Sequence, residues 1–181
     1  LGYYLFKEAL ENSYKKPLNT LVDESFYQFL GADRMTYLPL EKFDKSQIVP
    51  TEKDDYYRNQ LVHGYVHDMG AAMLGGVGGH AGLFSNANDV AKIMQLYLQK
   101  GYYGGKQLLN PETVDKFNKR YFAKQKVRRG LGFDKPEKNN SNSKDPYPCL
   151  SASPSTFGHT GFTGTCVWVD PAKDLVYIFL S

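Results

Sequence analysis

The residues with the clearest chemical potential lie in a glycine-rich stretch near the carboxyl end of the chain. Residues 157–165 read Phe-Gly-His-Thr-Gly-Phe-Thr-Gly-Thr, and an alternating run, Cys-Val-Trp-Val-Asp, follows directly. Glycine weakens a strand, so several glycines in one strand indicate that another backbone or a ligand comes close. The polar side chains of His159 and Thr160 lie among these glycines. We therefore interpret this glycine-lined edge as the candidate working surface of the protein.

A second group of side chains has the residue types of a metal site. His63 and His67 are four residues apart, with Asp68 and His80 nearby, and zinc sites use such ligands. A helix would be needed to align His63 with His67, and Gly64 with its β-branched neighbours disfavours a helix. We therefore predict structural histidines bonded to loop backbone, with no metal site and no cofactor.

The glycine density around His80 predicts a tight loop that exposes its backbone. Five glycines lie within residues 75–82, and neither an ordinary helix nor an ordinary strand has such a density. Loops of this kind often carry function. The spacing matches neither the Gly-Lys-Ser/Thr phosphate loop nor the Gly-x-Gly-x-x-Gly dinucleotide pattern. The loop is therefore a candidate functional segment without a phosphate-binding pattern.

Length, charge and hydropathy limit the classes of protein to consider. At 181 residues the chain is long enough for one domain with its own core. A net charge of +3 with scattered basic residues argues against a nucleic-acid partner, and the densest basic run, residues 126–129, is interpreted as a solvated loop. The sequence contains no apolar run of about 18 residues, the length that would predict a membrane span. Cys149 and Cys166 could pair, although no spacing rule requires it, and the apolar pattern around Cys166 favours a buried thiol.

Helices are predicted where apolar residues recur three to four positions apart and local signals mark the ends. The predicted helices are residues 1–14, residues 17–31 between a proline and a glycine, a helix capped by Ser85 or Asn86 and closed by Gly101, and a helix that begins at Asn110-Pro111. We expect the apolar faces of the last two helices to lie in the core.

Strands are predicted at the carboxyl end, where apolar residues alternate. A turn at residues 170–174 separates the glycine-interrupted strand from a second, more apolar strand. Residues 128–134 predict a further short strand, whereas residues 32–55 and 135–148 predict irregular loops. The predicted fold class is α/β, of the α+β type, with an antiparallel sheet that ends in the 165–180 hairpin and packs against helices.

Three stretches resemble one known family. The His-Thr-Gly of residues 159–161 resembles the third motif, usually Lys-Thr-Gly, of the penicillin-recognising serine hydrolases, which include β-lactamases, D-Ala-D-Ala peptidases and related esterases. His-Thr-Gly followed by Phe-Thr-Gly-Thr resembles the form of this motif in the branch that includes class C β-lactamases and esterases. Residues 66–68, Val-His-Asp, and residues 74–85, Leu-Gly-Gly-Val-Gly-Gly-His-Ala-Gly-Leu-Phe-Ser, resemble a longer signature of that branch. Residues 15–18, Lys-Lys-Pro-Leu, resemble the turn that follows the family's Tyr-x-Asn/Ser motif.

The resemblance implies a role for each residue of the glycine-lined edge. His159 would be a partly cationic residue for substrate recognition and proton relay, and its charge would vary near neutral pH because it replaces a lysine. Thr160 would donate its hydroxyl to the substrate, and Gly161 would allow close approach. The backbone N–H of Phe162 would contribute to an oxyanion hole. The loop that contains His80 would form part of the wall of the active-site cleft.

The family's nucleophile motif, Ser-x-x-Lys at the start of a helix, has no convincing counterpart in the sequence. Residues 13–16 and 141–144 have the spacing, but the first run falls at a predicted helix end and the second in a polar loop. Residues 57–59 read Tyr-Arg-Asn, which we interpret as a chance match to Tyr-x-Asn. The family order places both missing motifs upstream of Leu1. We therefore expect residues 1–181 to be the C-terminal portion of one incomplete domain, inactive by itself.

Two functional classes follow from the resemblance. The first is a β-lactamase-like serine hydrolase that forms an acyl-enzyme with a small-molecule, peptide or ester substrate, with the N-terminal remainder of the same domain as partner. The alternative is a non-catalytic module that binds a cell-wall ligand, in a parent protein that could also carry a cell-wall glycosidase. A Ser-x-x-Lys and a Tyr-x-Asn/Ser upstream would support the first class. The resemblance also implies an extracytoplasmic location.

Overall fold

The amino-terminal segment is helical, as its apolar spacing predicts. In the computed structural model, which describes residues 1–125 and 127–181, α1 spans Gly2–Tyr14 and ends at Lys15 in a left-handed conformation. None of the α1 residues is buried, and Leu5 and Phe6 are 64% and 67% exposed. The apolar stripe that predicts this helix is therefore largely exposed in this chain.

The second predicted helix is present but is not uniform. It consists of α2 (Leu18–Val22), a π-helical segment (Asp23–Tyr27) and α3 (Gln28–Leu30). Gly31 follows it with φ 61°, a left-handed conformation that glycine adopts at little cost. The proline at residue 17 and this glycine therefore bound the helical segment as the sequence predicts.

The chain divides into two units, Leu1–Asp89 and Val90–Ser181, and the division falls inside α5 (Ala87–Leu98). In the first unit, β1 (Pro50–Asp54) pairs antiparallel with β2 (Gln60–His63), and α4 (Met69–Met73) follows. The buried apolar residues described in this unit include Leu18, Tyr27, Leu30, Ala32, Met35, Pro39, Val62, Val66 and Ala71.

The strand β1 corrects the prediction of an irregular chain over residues 32–55. That segment does contain two short 3-10 turns, Pro39–Glu41 and Lys45–Gln47. It ends, however, in a strand whose only buried residue is the acidic Asp54. A strand without buried apolar residues has no period-two apolar pattern, so the sequence carried no signal for it.

The helices α5 and α6 begin at the residues that the sequence indicates. The side-chain oxygen of Asn86 accepts a hydrogen bond from the N–H of Asp89 at 2.9 Å, so Asn86 caps α5. Asn110 caps α6 (Pro111–Asn118) through the N–H of Glu112 at 2.8 Å. Between the two helices lies a small hairpin of β3 (Tyr102–Tyr103) and β4 (Lys106–Gln107).

The second unit contains a three-stranded antiparallel sheet in the order β5 (Phe157–Thr160), β6 (Cys166–Asp170), β7 (Leu175–Phe179). The predicted hairpin of the last two strands is confirmed. The predicted single strand over residues 157–170 is wrong, because a tight turn divides it into β5 and β6. In that turn the N–H of Gly161 donates to the carbonyl oxygen of Thr165 at 2.7 Å, and Gly164 has φ 99°.

The sheet of the second unit packs against helix α5. Met94 of α5, Phe157 of β5 and Val169 of β6 form a buried cluster. Of the apolar residues expected in the core from the α6 pattern, Val114 is buried, but Phe117 is 52% exposed and Tyr121 lies beyond the end of the helix and is 44% exposed. This packing of a helix on an antiparallel sheet agrees with the predicted α/β fold class.

The connection before the sheet departs from its prediction. Residues 128–134 form no strand; only Asp134 pairs with the edge of β5, through an isolated bridge to Gly158. Residues 135–148 are irregular, as predicted, apart from a 3-10 turn at Asn140–Asn142.

The thiols of Cys149 and Cys166 are not bonded to each other. Cys149 is exposed, and Cys166 is half-buried instead of fully buried as its apolar surroundings had suggested. Among the residues that the structure describes, no helix is long and apolar enough to cross a membrane.

Candidate active-site edge

The structure places four of the predicted site residues together at one end of β5. His159 and Thr160 are the last residues of the strand and pair with Val167 and Cys166 of β6. Gly161 and Phe162 follow in the turn. All four predicted residues are exposed, and the side chain of Phe162 is 95% exposed. The edge is thus accessible in this chain and is anchored to the core by Phe157, two residues before His159.

The imidazole of His159 lies between a guanidinium and a backbone carbonyl. Its Nε2 is 2.9 Å from Nη1 of Arg129, and its Nδ1 is 2.6 Å from the carbonyl oxygen of Thr160. The prediction of a solvated loop over residues 126–129 overlooks Arg129. Lys126 of that run lies outside the described residues, but Arg129 contacts the candidate site. No local pattern could have found a contact between residues 30 positions apart.

The segment that carries Arg129 is held in place by the buried carboxylate of Asp134. Arg128 donates to both oxygens of this carboxylate, at 2.7 and 2.9 Å, and Tyr147 donates its hydroxyl at 3.2 Å. Burial alone would raise the pKa of Asp134, but the hydrogen bonds and charge of Arg128, the N–H of Lys135 and the charge of Arg129 together keep that pKa below its ordinary value. Backbone hydrogen bonds of 2.8 and 3.0 Å then join Asp134 to Gly158 of β5.

The packing around Gly158 shows which neighbouring group comes close to this strand. A Cβ added to Gly158 would overlap the carbonyl oxygen of Val167 and the ring of Trp168. At this position the approaching group is therefore the neighbouring strand β6, one of the two alternatives that the sequence left open. Gly161 is different, since an added Cβ there would meet the hydroxyl of Thr165, the end of a side chain.

His80 lies in the first unit, and its imidazole is engaged by neighbouring side chains. Its Nε2 is 2.8 Å from the carboxylate of Asp68 and 3.3 Å from the hydroxyl of Tyr4 of α1, and the rings of His80 and Tyr4 are 4.5 Å apart. Asp68 also caps α4 by accepting from the N–H of Ala71 at 2.7 Å. Burial would raise the pKa of Asp68, but these hydrogen bonds lower it overall. His80 therefore ties its glycine-rich loop to α1 and α4, and a role in substrate binding stays a prediction.

The remaining histidines of the metal hypothesis have partners within the protein. Nε2 of His63 is 2.6 Å from the carbonyl oxygen of Ile48, as expected for a structural histidine bonded to loop backbone. Nδ1 of His67 is 3.0 Å from the carboxylate of Glu52. In the described parts of the chain, no group of three or more His, Cys, Asp or Glu side chains has the arrangement of a metal site.

The short runs with nucleophile spacing lie in unsuitable elements. Ser13 is the last residue but one of α1, and Lys16 is paired with Glu24 at 2.6 Å. Ser141 lies in a 3-10 turn. Residues 57–59 form the connection between β1 and β2, where Arg58 donates to the buried Asp54 at 2.6 Å. Neither Ser-x-x-Lys run thus begins an α-helix.

A His-Thr-Gly at the exposed end of β5, on an antiparallel sheet packed against a helix, is the arrangement that the resemblance to the penicillin-recognising serine hydrolases implies. A family model described as Beta-lactamase matches the chain over residues 1–181. The chain therefore belongs to the beta-lactamase family, as its motifs predict.

Curated relatives of the chain are considerably longer. The whole chain aligns over 193 residues, at 38% identity, with 43% of a protein from Escherichia coli strain K12 named "Putative D-alanyl-D-alanine carboxypeptidase". A protein with the same name from Salmonella gallinarum is 35% identical, and the chain covers 44% of it. The chain thus spans less than half the length of the curated relatives it matches.

Solved structures share the fold at low sequence identity. Simvastatin synthase from Aspergillus terreus superposes with a TM-score of 0.66 at 16% identity, over 95% of this chain and 46% of that chain. A beta-lactamase from Mycobacterium bovis gives 0.64 at 15% identity, over 98% and 53% of the two chains. A penicillin-binding protein homologue from Caulobacter crescentus gives 0.61 at 17% identity, over 96% and 49%. At such identities the likeness establishes the fold alone.

Proposed function

We propose that the chain is the later part of a serine hydrolase domain that forms an acyl-enzyme with a peptide, ester or lactam carbonyl. The observation that carries the proposal is the exposed edge at residues 159–162, anchored by Phe157 in the core of the second unit. Family membership supports it. Relatives named as D-alanyl-D-alanine carboxypeptidases favour a cell-wall peptide as the substrate and an extracytoplasmic location.

In this proposal, residues 159–162 bind the substrate and stabilise the charge that develops on it, and the nucleophile is a serine outside residues 1–181. The serine oxygen attacks the carbonyl carbon while a base outside residues 1–181 takes its proton, so the carbonyl oxygen takes up negative charge in the tetrahedral intermediate. The acyl-enzyme forms when the bond to the leaving group breaks and the leaving group departs with that proton. The backbone N–H of Phe162 would donate to that oxygen, and one such donor typically lowers the barrier by about 3 kcal/mol. The hydroxyl of Thr160 would donate to the substrate.

The proposed partner of this chain is the N-terminal remainder of the same domain. The chain covers 43% of the E. coli relative, and neither of its two Ser-x-x-Lys runs begins an α-helix. The family's two missing motifs are therefore proposed to lie upstream, on a segment that completes the catalytic site.

A second candidate function is a non-catalytic module that binds a cell-wall ligand. The positions of Ser13 at a helix end and Ser141 in a 3-10 turn also favour this candidate. In that case the edge at residues 159–162 would recognise the ligand without turnover. The coding sequence upstream of Leu1 distinguishes the two candidates, because only the enzyme requires a Ser-x-x-Lys there.

Covalent labelling with a fluorescent penicillin and with a fluorophosphonate, followed by intact mass measurement, tests the proposal. We expect no adduct on this chain. On the same chain extended by its natural upstream coding sequence, we expect one adduct per molecule, on the serine of a Ser-x-x-Lys. An adduct on Ser13 or Ser141 of this chain would refute the proposal. An extended protein that binds a cell-wall peptide but never labels would favour the binding module.

A matched pair of variants in the extended protein tests the edge itself. We expect Thr160→Val to slow labelling by the fluorescent penicillin on the order of tenfold or more, because the proposed hydroxyl donor to the carboxylate of the penicillin is lost. Thr163→Val changes an exposed threonine in the adjoining turn and should label at the wild-type rate. Equal rates for both variants would remove Thr160 from the site.

A further inference from the structure

We propose that Arg129 is a positioning residue, which holds the imidazole of His159 in its Nδ1–H form and itself supplies the positive charge of the edge. The observation behind this inference is the position of the imidazole between the guanidinium of Arg129 and the carbonyl oxygen of Thr160. The meaning of this arrangement for catalysis rests on the proposed function, whereas the tautomer itself does not.

The tautomer follows from which atoms can donate a hydrogen bond. A guanidinium has only N–H donors, so Nε2 of His159 must be the acceptor at 2.9 Å from Arg129. A carbonyl oxygen only accepts, so Nδ1 of His159 must carry the proton at 2.6 Å from Thr160. One proton on Nδ1 and a lone pair on Nε2 describe an uncharged imidazole in a single tautomer.

The guanidinium of Arg129 is held by the segment on which it lies. Its Nη2 is 3.6 Å from the carboxylate of Asp134, which is 1% exposed. Arg128 already occupies both oxygens of that carboxylate and also reaches Glu137 at 3.0 Å. The acidic groups of this segment are therefore paired mainly with Arg128, and the charge of Arg129 is only partly compensated. The side chain of Arg129 is 48% exposed, so part of the guanidinium still faces solvent.

This arrangement changes the role that the motif alone implies for His159. With its Nδ1 proton bound to the backbone of Thr160 and its Nε2 bound to Arg129, the ring has no N–H directed at a substrate. An anionic group at this edge would instead meet Arg129, whose guanidinium stays protonated in proteins. Arg129 thus holds His159 as an uncharged ring against the end of β5, and the arginine itself carries the positive charge of the edge.

Nitrogen-15 spectra of the imidazole test the inference on this chain directly. Two-bond proton–nitrogen correlations distinguish a ring nitrogen that carries a proton from one that carries a lone pair, and His159→Asn identifies the signal among the four histidines. At about pH 8, above the usual titration range of histidine, we expect a protonated Nδ1 and a bare Nε2. In Arg129→Met, which lacks a donor, we expect the signals to shift toward the Nε2–H form.

Two further variants separate positioning from a general effect of charge. Arg129→Lys keeps a cationic donor and should retain more of the Nδ1–H form than Arg129→Met. Lys124→Met removes an exposed positive charge elsewhere in the second unit and should leave the wild-type signals unchanged. A wild-type His159 with its proton on Nε2, or an Arg129→Met spectrum identical to wild type, would overturn the inference. Neither outcome depends on labelling, so failure of the proposed function remains distinguishable.

Discussion

Lys135 is a cation held inside the second unit. Lys135 is only 6% exposed, and its Nζ donates a hydrogen bond to the side-chain oxygen of Asn118 at 2.8 Å. Burial, together with the nearby guanidinium of Arg120, lowers the pKa of Lys135 to about 8. Its charged form is therefore less favourable in the folded chain than in water.

This lowered pKa predicts a pH dependence of stability. The unfolded chain holds the Lys135 proton up to its ordinary pKa of 10.5 and the folded chain only to about 8, so the unfolded state binds more protons between these values. The free energy of unfolding of the wild type should therefore rise relative to Lys135→Met by about 1–3 kcal/mol from about pH 7 to about pH 10. Denaturant unfolding at both pH values measures this difference.

Lys124→Met is the matched control for that experiment, since Lys124 is an exposed lysine of the same unit. Its stability relative to wild type should change little over the same pH interval. A constant difference between wild type and Lys135→Met at both pH values would show that the folded chain does not perturb the pKa of Lys135.

At the level of single residues, the sequence predicts which residues form the edge but not the charged side chain, Arg129, that contacts it. His159, Thr160, Gly161 and Phe162 lie together at the end of β5, as their adjacency in the chain requires. The contact of Arg129 with His159 spans 30 positions and depends on Asp134 joining its segment to β5. The roles of residues 159–162 and of His80 in substrate binding stay predictions, and the labelling experiment tests that of Thr160.

At the scale of elements, the pairing of β5 with β6 requires glycine at residue 158. We expect Gly158→Ala to destabilise the second unit by about 3 kcal/mol or more, because the added methyl group would overlap the carbonyl oxygen of Val167 and the ring of Trp168. Thermal or denaturant unfolding measures the loss.

Gly132→Ala provides the control for this substitution. A Cβ added to Gly132 meets no atom within 4 Å, and its φ is not in the left-handed region. We expect a change in stability within about 0.5 kcal/mol, as for an ordinary surface substitution. Equal losses in the two variants would mean that the close approach at Gly158 does not limit stability.

Helix ends are predicted more accurately than strands, because the residues that mark a helix end act within a few positions of it. Caps act within one turn, so Asn86, Asn110 and Gly31 marked helix ends correctly. The glycines of residues 157–165 do not distinguish a turn between two strands from one strand that another group approaches closely, because glycine is favoured in both structures. β1 was missed since its residues other than Asp54 are not buried.

At the scale of the whole molecule, the proposed N-terminal remainder has a measurable consequence for α1. This helix has 13 residues and none is buried, and isolated helices of about this length are marginal in water. We expect its amides to exchange with deuterium faster than those of β6 in this chain. In the chain extended upstream, covering Leu5 and Phe6 should slow their exchange on the order of tenfold or more.

The amides of β6 serve as the internal reference for that measurement. Trp168 and Val169 are already buried in the second unit, so their exchange should be similar in both proteins. Unchanged exchange in α1 on extension would contradict the proposal that the upstream segment completes the domain around this helix.

The sequence by itself determined what depends on neighbouring residues: the helix ends, the final hairpin, the fold class and the motifs that place the chain in the beta-lactamase family. Only the tertiary structure decided which distant groups meet. It brought Arg129 to His159, joined Asp134 to Gly158, and tied the loop of His80 to α1. Caps and turns are set by hydrogen bonds within a few residues, whereas these contacts exist only after the elements have packed.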